Sequence, residues 1–289
     1  MKYICFEDHI ELQDNKEFSA KHILECGQVF RFFEKKDCWF VVSGDKVAKI
    51  VEEEEKTTIW CSDPEFFVDY FDLARDYSAI KSKIKQNKKL EKVVSCAEGL
   101  RILRQPLFET IVSFIVSANN NIKRIKLILN RLAEKKGTRL GEFYAFPTYE
   151  QMKDCDETFF KSIGAGYRSA YLVKFLKQYP QFCKNDFEGL STAEIYRLLI
   201  DLAGVGPKVA NCILLFAFSR TDSFPVDTWM EKAYYEFFAN KKSDSKLNRN
   251  QISKKLVDKF GNLSGFVQQY LFYFKTVEQA KTSYKKSEE

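Results

Sequence analysis

The run Leu202-Ala203-Gly204-Val205-Gly206-Pro207-Lys208-Val209-Ala210-Asn211-Cys212 leaves this chain few ways to fold around it. An amphipathic segment precedes the two glycines and an apolar segment follows them. Glycine is needed at both turn positions because the backbone there must take a positive φ and come close to another molecule. The spacing predicts two helices joined by a tight turn, a helix-hairpin-helix. Open amides at the start of the second helix make a seat for an anion such as a phosphate. Lys208, one step beyond the proline, falls in the first turn of that helix.

Nineteen residues further on comes Asp227, inside Phe224-Pro225-Val226-Asp227-Thr228-Trp229. Taken alone, Lys208 reads as a solvated helix lysine and Asp227 as a helix N-cap, the commonest role for an aspartate before such a run. Together they also read as chemistry. A lysine amine becomes a nucleophile when desolvation or nearby positive charge frees its lone pair, and a helix N-terminus supplies partial positive charge. Attack on the anomeric carbon of a deoxyribose would expel the base and leave a Schiff base, from which β-elimination can follow. A carboxylate held at a helix start could stabilise the oxocarbenium-like charge of that step, so capping and catalysis are compatible.

The composition suits a globular protein of one large or two modest domains: 289 residues, 45% hydrophobic and 15% aromatic. No run of about 18 apolar residues suggests a membrane span, and the first residues lack the apolar core of a secretory signal. The expectation is a protein of the cytoplasm, nucleoid-associated and prokaryote-like. The charge is uneven: residues 1–100 carry 16 basic and 20 acidic side chains, residues 101–289 carry 30 and 20. The C-terminal part is the one expected to face a polyanion, although a solvated lysine-rich surface gives the same count. Eight scattered cysteines form no CxxC pair, which excludes a zinc knuckle or compact iron–sulfur loop and reads as reduced, buried thiols. With only His9 and His22, a histidine triad or multi-histidine metal site is excluded.

Residues 1–102 are expected to form an α+β domain, with Cys38–Val42 and Val47–Val51 as a hairpin across Ser43-Gly44-Asp45 and a helix from Asp63-Pro64 through Phe71. The acidic run Glu52–Glu55 would cap the solvent end of that hairpin. From Leu103 the apolar spacing is helical throughout, as in Ile125, Ile128, Leu129 and Leu132. The last helix is expected from about Gly265 to Thr282, with a polar, frayed tail after it.

Three further clusters stand out. Ser117-Ala118-Asn119-Asn120-Asn121-Ile122-Lys123-Arg124 puts amides and a guanidinium at a helix junction, or is simply an asparagine-rich cap. Gly166-Tyr167-Arg168 sets a ring and a guanidinium after a glycine turn, or docks a loop. Gln268 and Phe272 share one face of a helix, where Phe272 otherwise reads as core. If a base is cleaved from a duplex, its nucleotide must be extruded, and such groups would supply a pocket and a wedge.

These segments, together with Cys26-Gly27-Gln28-Val29-Phe30-Arg31 and Gln268-Gln269-Tyr270-Leu271-Phe272, occur in the order seen in the bifunctional 8-oxoguanine DNA glycosylases, and the chain resembles that family from about residue 20 to residue 275. The resemblance implies an α+β fold: a TBP-like antiparallel sheet domain over 1–102, then a mostly α-helical helix-hairpin-helix glycosylase domain over 103–289. It implies Lys208 as Schiff-base nucleophile and Asp227 as its electrostatic partner. Gly27 would accept, through its carbonyl, the imidazole-ring N–H that guanine lacks. Cys212 and Phe272 would clamp the two faces of the flipped base, and Gln268 would read its Watson–Crick edge. Asn119, Arg124 and Arg168 would hold the orphaned cytosine, Tyr167 would be the wedge, and Gly204 and Gly206 would form the turn that holds a backbone phosphate. It implies double-stranded DNA containing 8-oxoguanine as partner, and no metal or cofactor; a monomer is expected.

Two positions depart from the pattern. Trp229 stands where animal members carry histidine, so that a phosphate contact or an aspartate-orienting bond is lost unless indole replaces it as a donor. Ala203 stands where proline is common in the wider superfamily. The cysteine cluster of the iron–sulfur relatives similar to endonuclease III is absent from the sequence. Two rival readings remain: a water-using alkylbase glycosylase, which generally has no lysine at the Lys208 position, and a hairpin-bearing DNA-binding module without chemistry, which has no use for Lys208, Asp227, Gly27 and Gln268 together.

Overall fold

Alternation of apolar and polar residues in the first sixty positions produces six strands: β1 (Tyr3–Cys5), β2 (His9–Leu12), β3 (Phe32–Lys35), β4 (Cys38–Ser43), β5 (Lys46–Glu52) and β6 (Thr57–Cys61). In the computed structural model, which describes residues 1–13, 15–240 and 247–285, they form one antiparallel sheet of order β1-β2-β6-β5-β4-β3. The period of two sends Ile10, Trp39, Val41, Ile50 and Ile59 into a core shared with Phe67, Tyr70 and Phe71. Those three aromatics come from the end of a helix, α2 (Pro64–Tyr70), and the residue after it; Asp63 caps that helix by accepting from the Phe66 N–H at 3.0 Å. The expected hairpin forms with Ser43 opposite Lys46, and Gly44 turns it at a φ of +56°. Of the acidic run, Glu52 does something unforeseen: its Oε1 accepts from the Ala20 N–H, at the start of α1 (Ala20–Leu24), at 3.0 Å.

The remaining helices are α3 (Tyr77–Lys85), α4 (Lys88–Ser95), α5 (Leu107–Ser117), α6 (Ile122–Lys136), α7 (Tyr149–Met152), α8 (Glu157–Ser162), α9 (Arg168–Phe182), α10 (Thr192–Ile200), α11 (Pro207–Phe216), α12 (Thr228–Phe237), α13 (Arg249–Phe260) and α14 (Ser264–Lys285). One correction concerns the segment expected to be wholly helical: a small antiparallel pair, β7 (Arg139–Leu140) and β8 (Phe143–Tyr144), interrupts it. Gly141, at a φ of +60°, makes its turn. The last helix also runs to Lys285, past Thr282; the expected frayed tail beyond it lies outside the described residues.

Two cores result, and they interleave along the chain. Tyr77, Ile84, Leu90, Val93 and Val94 of α3 and α4, with Cys26 and Phe30, pack into the helical core although they precede residue 103. Buried Arg101 staples the joint. Its Nε donates to the Phe71 carbonyl at 2.9 Å and its Nη1 to the Glu17 carbonyl at 3.1 Å, and its guanidinium lies 4.1 Å from the Tyr77 ring centre. Lys81, the first lysine of a lysine-rich stretch, is buried between Glu17 and Glu98, at 2.8 and 2.6 Å. The thiols also depart from expectation: Cys26, Cys61, Cys155 and Cys212 are buried, but Cys5 and Cys183 are exposed. No described helix is long and apolar enough to cross a membrane.

Candidate active site

The hairpin is α10, a turn and α11. Of its two glycines only Gly204 has a positive φ, +84°, and a Cβ there would come within 2.9 Å of Tyr171 Cβ. Gly206 is extended, with φ −91° and ψ 178°, a conformation open to any residue. The demand for positive φ therefore applies to one glycine, and Gly206 instead leaves open space around the turn, since no heavy atom lies within 4 Å of its would-be Cβ. Gln178 of α9 braces the turn from behind: its Oε1 accepts from the Ala203 N–H at 2.8 Å and its Nε2 donates to the Asp201 carbonyl at 3.0 Å. Gly206 caps α11 without a side chain and Pro207 brings no N–H, so the next amides of the first turn face outward.

Lys208, half-buried, projects from this first turn into a cavity of about 460 Å³, within the range of about 300–1,000 Å³ usual for small-molecule sites. Gly27, Asn119, Cys212, Asp227, Gln268 and Phe272 line the same cavity. Phe114 forms part of its floor, with the Lys208 Nζ 5.0 Å from the ring centre. Cys212 lies one helical turn beyond Lys208 on α11. Burial pushes its thiol pKa up, and the Lys208 amine beside it pulls the other way. Asp227 caps α12, its Oδ1 accepting from the Trp229 and Met230 N–H groups, both at 2.9 Å. One carboxylate thus both starts a helix and borders the cavity holding the amine.

Gly27 needs its lack of a side chain twice over. Its φ is +76°, and a Cβ would stand 2.7 Å from Phe272 Cε1. Gln28, which sequence reasoning passed over, holds this loop in place. It is fully buried; its Nε2 donates to the Ile23 and Arg101 carbonyls, both at 2.8 Å, and its Oε1 accepts from the Leu103 N–H at 2.9 Å. Its own carbonyl accepts from Gln105 Nε2 at 2.7 Å. The Cys26 thiol, also lining the cavity, donates to the Ile23 carbonyl, and burial pushes its pKa up to about 12.

Of the remaining sequence candidates Asn119 lines the cavity, whereas Tyr167, Arg168 and Arg124 do not. Asn119 holds a φ of +48°, which asparagine tolerates, at the junction of α5 and α6. Tyr167 is 56% exposed and its hydroxyl donates to the Ala118 carbonyl at 3.1 Å. Arg168 is buried: Nε and Nη2 donate to the Ala118 carbonyl at 2.8 and 2.5 Å, and Nη2 to the Asn119 carbonyl at 2.8 Å. In this structure its donors fasten the Asn119 loop. Arg124 is exposed beside it, with one bond from Nη2 to the Gly164 carbonyl at 3.2 Å. Arg249, not anticipated, stands where the cavity adjoins a cleft lined by Pro207 and Asn211. Its Nε is 2.9 Å from Glu231 Oε2 and its Nη2 donates to Thr228 Oγ1 at 3.1 Å. Among the described residues no three His, Cys, Asp or Glu side chains converge on a metal-sized site.

Residues 11–111 match the family described as 8-oxoguanine DNA glycosylase, N-terminal domain, and residues 112–259 match the HhH-GPD superfamily of base excision DNA repair proteins. A solved 8-oxoguanine glycosylase/lyase of Clostridium acetobutylicum, in complex with dsDNA containing cytosine opposite 8-oxoG, is 34% identical. The superposition has a TM-score of 0.89 and covers 96% of this chain and 99% of that one. This chain belongs to the 8-oxoguanine glycosylase/lyase family. Curated relatives include N-glycosylase/DNA lyase OGG1 of Arabidopsis thaliana, 33% identical over 60% of this chain and 51% of its own length. The N-glycosylase/DNA lyase of Saccharomyces cerevisiae is 28% identical over 61% of this chain and 56% of its own. The chain thus spans about half the length of these two curated relatives. Membership accounts for the α+β division, and for the hairpin and Asp227 meeting at one cavity.

Proposed function

We propose that this protein excises 8-oxoguanine from duplex DNA, preferentially opposite cytosine, and then cuts the strand as an AP lyase. The observation that carries this reading is the gathering, in one cavity, of an amine, a carboxylate and the pair Cys212 and Phe272. Lys208 Nζ bonds to C1′ of the flipped nucleotide as the bond from C1′ to the base breaks. The base leaves with the bonding electrons and takes up a proton. Opening of the sugar ring then gives a protonated Schiff base on Lys208. Loss of a C2′ proton to solvent expels the 3′ phosphate. Asp227 stabilises the positive charge that builds on the sugar as the base departs.

In this proposal Cys212 and Phe272 clamp the base, Gln268 reads its Watson–Crick edge, and the Gly27 carbonyl accepts the ring N–H that guanine lacks. Guanine would set a lone pair against that carbonyl, which costs binding. Gly204 and Gly206 let the backbone phosphate approach the α11 amides. Arg249, which lines the cavity together with Trp229, supplies a cation there in place of the missing histidine. Tyr167 is the wedge; Asn119 and Arg124 meet the orphaned cytosine, with Arg168 acting on it through the loop it fastens. In this reading the chain divides at residue 102, with α3 and α4 of the first part packed into the helical core and Gly27 reaching the cavity of Lys208 and Asp227. In this proposal the protein acts as a monomer on nucleoid DNA in the cytoplasm.

The test is incubation with a duplex bearing one 8-oxoguanine opposite cytosine, with borohydride present, beside an undamaged control. A covalent adduct on the damaged strand alone is expected. An alkali-labile site without adduct would point to a water-using glycosylase, and binding with neither would leave a DNA-binding module.

Two variants follow. Gly27→Ala is expected to cost about 1–2 kcal/mol through its left-handed backbone and to displace Phe272. Release of 8-oxoguanine should fall roughly a hundredfold, while cleavage at a preformed abasic site, which has no base to clamp, stays near wild type. Equal losses on both substrates would overturn the role given to Gly27. Arg124→Ala is expected to relax the preference for cytosine opposite the lesion, by about 1–3 kcal/mol in relative transition-state energy. The measurement is single-turnover release against each of the four opposite bases; an unchanged ranking removes Arg124 from that role.

A further inference from the structure

Gln269 is as deeply enclosed as Gln268, at 2% and 4% exposed, and both line the cavity from α14. Gln269 Nε2 donates to Gln268 Oε1 at 2.8 Å. Gln269 Oε1 is buried and has no hydrogen-bond partner among the described residues. Buried amide oxygens nearly always find a donor; this one, in a residue of the cavity wall, is left without one, and a donor of the ligand would satisfy it.

The bond between the two amides fixes what each can offer. Gln268 uses Oε1 to accept from Gln269 and keeps its N–H groups; Gln269 uses an N–H and keeps its oxygen. Neither amide can turn over alone without setting oxygen against oxygen or N–H against N–H. The pair therefore presents a donor beside an acceptor. A guanine-type base edge presents the complement, with O6 accepting and N1–H and the exocyclic amine donating.

We propose that Gln269 is a second reader of the flipped base: its Oε1 accepts from N1–H or the exocyclic N–H of a guanine-type base, while its Nε2 orients Gln268 to donate to O6. This rests on the glycosylase reading above and extends it from one amide to two. An adenine-type edge, with an exocyclic donor facing Gln268 and a bare ring nitrogen facing Gln269, is opposed at both points.

Gln269→Met keeps length and burial but removes both polar groups. Release of 8-oxoguanine under single-turnover conditions is expected to fall about ten- to a hundredfold. Affinity for a duplex carrying a tetrahydrofuran abasic analogue, which has no base edge to read, should stay within about twofold, as should borohydride trapping at a preformed abasic site. Should the methionine variant fail to fold, Gln269→Ala is compared in the same way, since the analogue measurement reports folding and DNA binding independently of the base. Unaltered release of 8-oxoguanine by a variant overturns the assignment, and so does an equal loss on the lesion and on the analogue. A wild-type chain that binds the analogue but releases no 8-oxoguanine overturns the glycosylase reading, and the role of Gln269 with it.

Discussion

Lys208→Gln is expected to abolish the borohydride-trapped adduct and to lower base release by a factor on the order of 10³–10⁶, the scale at which loss of a nucleophile acts. Glutamine keeps most of the side chain's reach but has no lone pair available for attack. Little else depends on the amine. Lys208 is half-buried, with its Nζ 5.0 Å from the Phe114 ring centre, a contact contributing about 0.5–2 kcal/mol. The unfolding midpoint should therefore drop by no more than a few degrees, and affinity for a lesion duplex should persist, since the base clamp and hairpin amides are untouched. Trapping that survives the substitution would mean that another amine is the nucleophile. Loss of binding together with trapping would make Lys208 a DNA contact instead.

What could be read in the sequence was what short periods and single residue types encode. The alternation in Cys38–Val51 is local, and β4 and β5 follow it. The hairpin at Gly204 was legible because a positive φ at one residue is a demand that only a few residue types meet, and Gly204 is at +84°. Extending that demand to Gly206 was wrong, because two glycines in a turn do not share one cause: its φ is −91°. Strands of two residues, as in β7 and β8, have no period to detect. Lys81 and Arg101 were illegible for the opposite reason. Their burial depends on partners far along the chain, Glu17 and Glu98 for the lysine and the Phe71 and Glu17 carbonyls for the arginine.

The same holds at the cavity. Lys208, Asp227, Gly27, Cys212, Gln268 and Phe272 come from four separate stretches, and their shared wall is a property of the fold. Lys208 and Asp227 stood out from their own motifs, but Gly27, Cys212, Gln268 and Phe272 were named as base contacts only through resemblance to a family. Gln28 and Arg249 carried no local signal, since what each does depends on carbonyls or hydroxyls supplied by other elements. Gln269 did carry one: two adjacent amides inside Phe266-Val267-Gln268-Gln269-Tyr270-Leu271 are a costly feature for a buried helix unless both find partners.

Asp227→Asn is expected to slow base release by about 10²–10³ while leaving the fold intact, and this combination separates the two roles that the sequence could not tell apart. Capping at Asp227 uses Oδ1, which accepts from the Trp229 and Met230 N–H groups. Asparagine has the same oxygen in the same place and is as good an N-cap. Only the interaction of the charge with the helix N-terminus is lost, about 0.3–1 kcal/mol, so the unfolding midpoint should move by a few degrees at most. The transition state has more to lose. As the bond to the base breaks, positive charge grows on the sugar inside a partly buried cavity, and a preorganised carboxylate there contributes on the order of 10²–10³ in rate. Asp227→Ala should show the same rate loss with a further destabilisation of about 1 kcal/mol as the cap goes. The measurement is single-turnover release beside thermal unfolding for both variants. If the asparagine variant released base at the wild-type rate, capping would be the whole function of Asp227, and the charge on the sugar would have to be met by some other group.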